Sequence, residues 1–464
     1  MRKNALKSES KCTIYQHSRV INEHIQFLLN PFEINKIARS TGFIKRNSKL
    51  SGVKFLKSLL YNEMPINQTT LTSIKSDLEE QHNCNVSRVA LHKRFGPEAV
   101  DFLKQVLSRQ LSNNIDFKEF ENQLTNFSGV CIKDSTKLKL PDCFIKDFPG
   151  YGGSHGKTAN LCIQYEYDIL SGNSKSLYFT KVNRNDQRDS KETLDSIEPN
   201  TLYIRDLGYI TSSYLKGVIK KQAYFVNLLP KIGVYQKKNN EFEKLNWEKL
   251  HHEMQETGCS SKEIEVFIGP KKDIKVRLAL FPVCPKKVEK RLRRATKRGS
   301  RKTDRYQYSK EYKIKSHYDI IITNVPKEVL STSQIQKTYK LRWQIELIFK
   351  AWKSHGKIDN LKAMKKERLQ CHLLAQFIWL SLTWKIFQLT NFMARKTKNR
   401  TTSVLKFYSK INRMKKKIQE LLNYKWGLAK WLNCNIMNII SSSLTEKKKN
   451  KIALYEILTE IYIA

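Results

Sequence analysis

The sequence predicts an α/β fold with a strand-rich middle and helical ends. Between about residues 125 and 230, short segments with alternating or apolar patterns predict strands, and amphipathic segments between them predict helices. Their order is three strands, a crossover, a strand, a helix and a strand, which is typical of parallel pairing after an initial meander. The regions before and after this middle part have the patterns of helices.

Local patterns place the individual elements. Strands are predicted at 129–135, 159–170, 176–182, 202–206, 223–228 and 318–324, with shorter ones at 232–236, 264–269 and 274–281. A helix is predicted at 212–221, and the serine-rich segment 331–333 predicts the start of another. The shorter strands lie within a stretch from about 230 to 315 that interrupts the α/β pattern and predicts a β-rich insertion.

The charge of the chain indicates a polyanionic partner. The 464 residues include 85 Lys and Arg against 43 Asp and Glu, a formal net charge of +42. Such an excess favours nucleic acid as the partner. A solvated basic surface is the alternative, but solubility does not require so large a charge. A ribosomal or packaging protein would share the charge without needing the site described below.

The cysteines and the apolar segments indicate an intracellular protein. Nine cysteines are scattered without a Cys-x2-Cys pair, which argues against a disulfide scaffold and a structural zinc site. The first residues lack an apolar signal core, and the most apolar window, 373–384, is too short to span a bilayer. We therefore expect a cytoplasmic protein that makes no membrane contact.

Two N-terminal segments, 71–81 and 86–95, have the pattern of a helix-turn-helix. The second carries four candidate DNA contacts: Arg88, His92, Lys93 and Arg94. The alternative is an ordinary helical hairpin with a solvated basic face.

A second basic segment lies within the insertion. Ten of the seventeen residues in 286–302 are Lys or Arg. Such a run is usually a solvated or disordered loop. An arm that grips phosphates is the functional alternative.

The segment 339–353 reads Tyr-Lys-Leu-Arg-Trp-Gln-Ile-Glu-Leu-Ile-Phe-Lys-Ala-Trp-Lys. On a single helix, steps of three and four residues place five polar side chains on one stripe: Tyr339, Arg342, Glu346, Lys350 and Lys353. A neighbouring apolar stripe can pack on a core: Leu341, Ile345, Ile348 and Trp352. A carboxylate among cations suits a site that holds a metal ion and a phosphate together. An ordinary i,i+4 ion pair between Arg342 and Glu346 is the alternative, but it explains neither Tyr339 nor Lys353.

Two aspartates occupy unusual positions in the predicted strands. Asp134 and Asp206 each end an apolar strand face and are followed at once by turn residues. A carboxylate at the end of a core strand is costly unless it is paired or bound to metal. Together with Glu346 they would form an all-oxygen site, which prefers Mg²⁺ or Mn²⁺. Two such ions can support an in-line phosphoryl transfer.

These motifs resemble those of a known family. Tyr339, Arg342, Glu346 and Lys353 match the Tyr-x2-Arg-x3-Glu-x6-Lys signature of cut-and-paste DDE transposases of insertion sequences. The segment 134–136, Asp-Ser-Thr, resembles the first acidic block of that family, and 206–209, Asp-Leu-Gly-Tyr, resembles the second. The resemblance runs from about residue 125 to about residue 365.

The resemblance implies a ribonuclease-H-like catalytic core with a β-rich insertion before the glutamate. It implies that Asp134, Asp206 and Glu346 are catalytic and bind two Mg²⁺ ions, for which Mn²⁺ can substitute. The resemblance also implies that Tyr339, Arg342 and Lys353 hold phosphates of the DNA end, and Lys350, outside the signature, is a further candidate for this role. The predicted division is a helical basic DNA-binding region at 1–120, a core at 121–365 and a helical C-terminal region at 366–464 with a role in dimerisation.

Similar enzymes stack a flipped base on an aromatic residue of the insertion, usually Trp. Trp247 is the only Trp between Asp206 and residue 339, and Tyr318 begins the strand that precedes the signature. Both residues are candidates for this role, and Tyr318 is equally explained as an ordinary strand aromatic.

The predicted function is that of a metal-dependent DNA transposase, both endonuclease and strand transferase. It would bind terminal inverted repeats in double-stranded DNA, cut them and join the 3′-hydroxyl to target DNA, as a homodimer in a synaptic complex. The expected location is the nucleoid of a bacterial-type cytoplasm. Two alternatives are a nuclease of the same fold without strand transfer and a catalytically silent or domesticated DNA-binding protein. The presence of all three acids counts against silence.

Overall fold

The computed structural model describes residues 2–115, 126–150, 158–182, 184–299, 309–446 and 452–462. The chain divides into two compact units. The first consists of the described residues within Met1–Glu119, Ser135–Asn183 and Gln344–Tyr455, and the second of those within Phe120–Asp134, Arg184–Trp343 and Glu456–Ala464. Each unit is made of segments that alternate along the chain with those of the other. The predicted division into three consecutive regions, 1–120, 121–365 and 366–464, stays a prediction.

The first unit is mainly helical. Its helices are α1 (Arg2–Leu28), α2 (Pro31–Ser40), α3 (Gly52–Leu60), α4 (Leu71–His82), α5 (Arg88–Arg94), α6 (Pro97–Ser112), α13 (Trp343–Ser354, from residue 344), α14 (Lys366–Lys398), α15 (Val404–Arg413), α16 (Lys415–Leu422) and α17 (Gly427–Ser443). Its strands are the second part of β1 (Gly129–Leu140), β2 (Ala159–Asp168) and β3 (Ser174–Lys181). The predicted strands at 159–170 and 176–182 are confirmed as an antiparallel pair.

Helix α14 is the central element of the first unit. It packs against α6, α3 and α1. The indole of Trp384 donates a hydrogen bond to the carbonyl of Gly172, and the guanidinium of Arg395 donates to the carbonyls of Ile169 and Leu170, so α14 is tied to the turn between β2 and β3. The apolar window 373–384 lies within this helix and is largely buried, as the sequence predicts. None of the described helices combines the length and the apolar character needed to cross a membrane.

The second unit is a mixed sheet with helices. Its strands are the first part of β1, β4 (Thr201–Arg205), β5 (Tyr224–Leu228), β6 (Val234–Lys238), β7 (Glu241–Lys244), β8 (Lys262–Ile268), β9 (Ile274–Pro282) and β10 (Tyr318–Thr323). Its helices are α7 (Asp186–Glu192), α8 (Ser212–Lys220), α9 (Trp247–Thr257), α10 (Pro285–Gly299), α11 (Lys310–Lys315), α12 (Thr332–Lys340) and α18 (Leu454–Tyr462, from residue 456).

The strand order in this unit is β1-β4-β5-β10-β9-β8-β6-β7. Strands β1, β4 and β5 pair in parallel, with α8 as the connection from β4 to β5, and this confirms the predicted α/β pattern. The remaining pairs are antiparallel, and the predicted short strands of the insertion are present as β6, β8 and β9. The core lies where α8 and α9 cover the sheet with apolar side chains, among them Leu215, Leu250 and Leu278.

Candidate active site and nucleic-acid contacts

The two aspartates follow paired positions of adjacent parallel strands. Lys133 of β1 pairs in register with Arg205 of β4. Asp134 and Asp206 are the next residues in their chains, and β4 ends at that point. Because both strands run in the same direction, the two carboxylates meet at the carboxyl end of β4. This is the edge of a parallel sheet where ligands of α/β proteins generally bind.

The guanidinium of Arg342 lies between these two carboxylates. Its Nη1 is 3.1 Å from Oδ2 of Asp134 and 3.6 Å from Oδ1 of Asp206. The side chains of Asp134 and Arg342 are each 17% exposed, and that of Asp206 is 44% exposed. The three groups therefore form one charged cluster that opens to solvent on the side of Asp206.

Tyr339 belongs to the same cluster. Burial raises the pKa of its phenol well above the ordinary value, Arg342 opposes that rise, and Asp206 and Asp134 add to it. Tyr339 is therefore a neutral hydroxyl at any physiological pH. A neutral phenol beside a guanidinium can donate a hydrogen bond to an incoming anion.

A largely buried arginine holds the loop before α12, the helix that carries Tyr339. Arg277 of β9 binds the carboxylate of Glu263 through Nε and Nη2, at 2.8 Å each, and donates to the carbonyls of Val325 and Leu330, also at 2.8 Å. The hydroxyl of Thr332 donates to the same carboxylate at 2.6 Å. The loop before α12 is thus anchored to the sheet that carries the aspartates.

The prediction of one continuous helix through 339–353 is wrong. Helix α12 ends at Lys340 and α13 begins at Trp343. Between them the backbone tightens, because the N–H groups of Leu341 and Arg342 donate to carbonyls three residues back, at 3.0 and 3.1 Å, instead of four. Arg342 therefore lies in a turn, from which its side chain reaches both aspartates.

The later residues of the signature lie in α13, in the first unit. The ammonium of Lys353 donates a hydrogen bond of 3.1 Å to the carbonyl of Lys137, three residues after Asp134 in strand β1. Glu346 is half-buried and Lys350 is exposed. The predicted apolar stripe is confirmed as buried: Leu341, Ile345, Ile348 and Trp352.

A buried ion pair that the sequence analysis does not predict lies next to Asp134. The ammonium of Lys133 lies 2.6 Å from Oδ2 of Asp189 in α7, and both side chains are fully buried. Arg184 approaches the other carboxylate oxygen at 3.2 Å. The signal was present in the sequence, since a lysine within an apolar strand of a parallel sheet is buried on either face and requires an anionic partner.

Helix α7 also contacts the segment that follows Asp206. The hydroxyl of Ser190 donates to the carbonyl of Tyr209 at 2.7 Å. Gly208 lies so close to α7 that a Cβ atom added to it would be 3.0 Å from Oδ2 of Asp186. One short helix thus holds the strand of Asp134 through Asp189 and the turn after Asp206 through Ser190.

The two aromatic candidates for base stacking are buried, so those predictions find no support in the structure. Trp247 is 4% exposed in the core of the second unit, and Tyr318 is 6% exposed with its hydroxyl 2.7 Å from Nδ1 of His251. Neither ring presents a face to a base in this arrangement. Trp343, directly after Arg342, is 55% exposed and was missed because the sequence predicted a packed helix there.

The predicted pair of N-terminal helices is present as α4 and α5. Asn83 ends α4 in the left-handed conformation, with φ 43°. Arg88, His92 and Lys93 are exposed on α5. Arg94 differs, because its guanidinium donates to the carbonyl of Phe43 at 3.1 Å, which leaves it less available to DNA.

The basic run at 286–302 is not a loop over its described part. Residues 285–299 form α10, and residues 300–302 lie outside the described residues. Arg291 donates to the carbonyls of Ser316 and Tyr318 and pairs with Asp319, while Val288 and Ala295 are buried. These contacts supply the tertiary support that a highly charged segment lacks by itself.

The donor set of the cluster fits a hard divalent cation. Asp134 and Asp206 offer only oxygen, and their carboxylates converge on a positive group, Arg342. Within the described part of the chain, no group of three or more His, Cys, Asp or Glu side chains lies close enough together to hold a metal ion. The cluster around Arg342 thus brings together two carboxylates, those of Asp134 and Asp206.

Comparison with known proteins agrees with this chemistry. The family model of the transposase DDE domain matches residues 125–382. The transposase for insertion sequence element IS231F of Bacillus thuringiensis subsp. israelensis is 30% identical over 387 residues, which cover 79% of this chain and 80% of the relative. The transposase for insertion sequence element IS1151 of Clostridium perfringens is 27% identical over 444 residues, 92% of this chain and 93% of the relative.

The matched family fixes the class of reaction. Transposases are enzymes that cut and join DNA, and those with a DDE domain have a ribonuclease-H-like core and generally use divalent metal ions. The matched segment includes both aspartates and the whole signature. The chain belongs to the DDE transposases of insertion sequences, and it is a DNA transposase.

Proposed function

We propose that this transposase binds the terminal inverted repeats of its own element, cuts the DNA at both ends and joins the freed 3′-hydroxyl groups to target DNA. One observation carries the proposal. Asp134 and Asp206 follow adjacent parallel strands and converge on a single cationic group, at 3.1 and 3.6 Å. Such an arrangement is built to concentrate negative charge where a cation and a phosphate meet.

The acidic residues provide the metal ligands in this proposal. Asp134 and Asp206 hold Mg²⁺, and Glu346, assigned by its place in the signature, supplies the third carboxylate. Bound there, two Mg²⁺ ions would lower the pKa of an attacking water and neutralise charge on the leaving oxygen, and Mn²⁺ would substitute for them. Half-burial of Asp134 restricts the number of water molecules that compete for its oxygens.

The remaining signature residues act on the phosphates of the DNA end. Arg342, paired with two carboxylates in this structure, can exchange one of them for a phosphate oxygen, because its planar group has five donors. Tyr339 donates a hydrogen bond as a neutral phenol. Lys350 is exposed and supplies a point charge, and Lys353 keeps further donors besides the one that binds Lys137.

The DNA partners follow from the same proposal. Terminal repeats and target DNA are both double-stranded, and the net charge of +42 favours binding to either. A homodimer that holds both ends in a synaptic complex would provide one active site for each end of the element. The exposed indole of Trp343 is available to stack on an unpaired base near the cut.

The proposal is tested by incubating the purified protein with Mg²⁺ and linear DNA that carries its own gene with both flanks. We expect cuts at inverted repeats on both sides of the gene, and none when EDTA removes the metal. Mapping of the DNA ends by sequencing gives the positions. Cuts at unrelated positions, or cutting that persists in EDTA, would contradict the proposed function.

A further inference from the structure

A basic cavity lies in the first unit, among residues that the active-site cluster does not include. Its volume is about 620 Å³, and it lies between the start of α4, helix α5 and the segment that leads into α14. Four of its lining residues are basic: Arg88, His92, Lys362 and Arg368. No Asp or Glu lines it, so the cavity carries positive charge without a matching anion.

The basic side chains of the cavity lack a carboxylate partner within the described residues. None of Arg88, His92, Lys362 and Arg368 forms an ion pair with a described carboxylate. Burial lowers the pKa of Lys362, and Arg368 lowers it further. Burial also lowers the pKa of the neighbouring His372 to about 3, with additional contributions from Arg368 and Lys362. Burial is the main cause of both shifts, and the charge of Arg368 adds to each of them.

Arg368 is the most deeply placed of these residues. It is 9% exposed, and its Nη2 donates to the carbonyl of Thr69 at 3.0 Å. Its guanidinium carbon lies 5.8 Å from the centre of the Phe95 ring. Its Nε–H is buried and has no hydrogen-bond partner in the described part of the chain. A buried donor of this kind is costly unless a ligand supplies the acceptor.

The start of α4 adds backbone donors to the same cavity. Thr70 and Ser73 form a capping box, in which each side chain binds the backbone N–H of the other. The two N–H groups between these residues, those of Leu71 and Thr72, have no partner among the described residues, and both residues line the cavity. The N-terminal end of a twelve-residue helix carries a partial positive charge that favours an anion.

We propose that this cavity is a binding site for a phosphate group of double-stranded DNA. The identity of the ligand rests on the proposed function, because a protein that cuts DNA at specific ends also has to bind that DNA at positions distant from the cut. The cavity is several times larger than one phosphate group, and Arg88 and His92 are exposed. Both features favour a phosphate within a longer chain over a free anion.

The test measures DNA binding without metal, so that no cutting is required. Arg88→Gln with Lys362→Gln is compared with Lys36→Gln with Lys104→Gln, which removes the same charge from exposed residues of the same unit that do not line the cavity. Fluorescence anisotropy of a labelled duplex is recorded over a range of salt concentrations. We expect the cavity pair to bind roughly tenfold more weakly and the slope of log K against log salt to fall by up to about 2.

Equal affinities and slopes for the cavity pair and the control pair would overturn the proposal. A second arm titrates inorganic phosphate by calorimetry. Loss of phosphate binding in the cavity pair with unchanged DNA affinity would also overturn it, because the site would then serve a free anion. Arg368→Gln, with its thermal unfolding midpoint recorded, is expected to weaken DNA binding in the same direction. If the protein did not cut at inverted repeats but its DNA binding still depended on the cavity residues, only the proposed function would be refuted.

Discussion

Replacement of Asp134 or of Asp206 by asparagine is expected to lower the rate of DNA cutting by about 10³-fold, equivalent to about 4 kcal/mol of transition-state stabilisation. Each change removes one of the two carboxylates that converge on Arg342 and, in the proposed mechanism, one ligand of the metal. Asparagine keeps the shape of the side chain, so the loss reports charge and metal binding rather than packing. The rate is measured as single-turnover cutting of repeat-bearing DNA in saturating Mg²⁺.

Asp195→Asn is the matched control for these variants. Asp195 is exposed in the same unit and lies outside the charged cluster. Its replacement is expected to leave the cutting rate within about twofold of the wild type. If Asp134→Asn or Asp206→Asn also cut at the wild-type rate while folded, the assignment of the two aspartates to the active site would be refuted.

Asp189→Asn is expected to lower the free energy of unfolding by about 3–5 kcal/mol, because it leaves the fully buried ammonium of Lys133 without a counter-charge. Since Lys133 precedes Asp134 in the strand, the cutting rate of the folded fraction is also expected to fall. The free energy is measured by urea denaturation followed by circular dichroism. The double variant Lys133→Met with Asp189→Leu is expected to recover most of the stability, because it removes both charges.

Arg188→Gln serves as the control in the same helix. Arg188 pairs with Glu192, but its side chain is 72% exposed, so its loss is expected to change stability by less than about 1 kcal/mol. A comparable effect of Asp189→Asn and Arg188→Gln would show that the Lys133–Asp189 pair does not hold the site together.

The strands and the positions of the two aspartates in them were predictable because they depend on local patterns. The alternation of apolar residues places β1 and β4, and Asp134 and Asp206 stand out because a carboxylate there has no apolar role. The apolar stripe through Ile345 and Ile348 correctly predicts a buried face of α13. Each of these features can be predicted from residues that lie within a few positions of one another in the sequence.

The features that escaped prediction depend on contacts distant in sequence. Lys133 and Asp189 form their ion pair only when strand β1 and helix α7 are packed together. The turn at Arg342 interrupts a periodicity that otherwise fits one helix, and no Gly or Pro marks it. Residues 285–299 form a helix, and Arg291 in it pairs with Asp319 and donates to two carbonyl groups. The run of positive charge predicted a loop there, because the local sequence does not reveal which distant residues will bind these side chains.

In the proposed mechanism Glu346 completes a metal-dependent cutting centre with Asp134 and Asp206, and the Glu346→Gln variant is the sharpest test of this role. Single-turnover cutting and DNA affinity are measured on the same preparation, with Glu420→Gln, an exposed change in the same unit, as the control. We predict that Glu346→Gln binds DNA with wild-type affinity and shows no detectable cutting in Mg²⁺, while Glu420→Gln cuts normally. Cutting by Glu346→Gln at the wild-type rate would contradict the proposed role of Glu346.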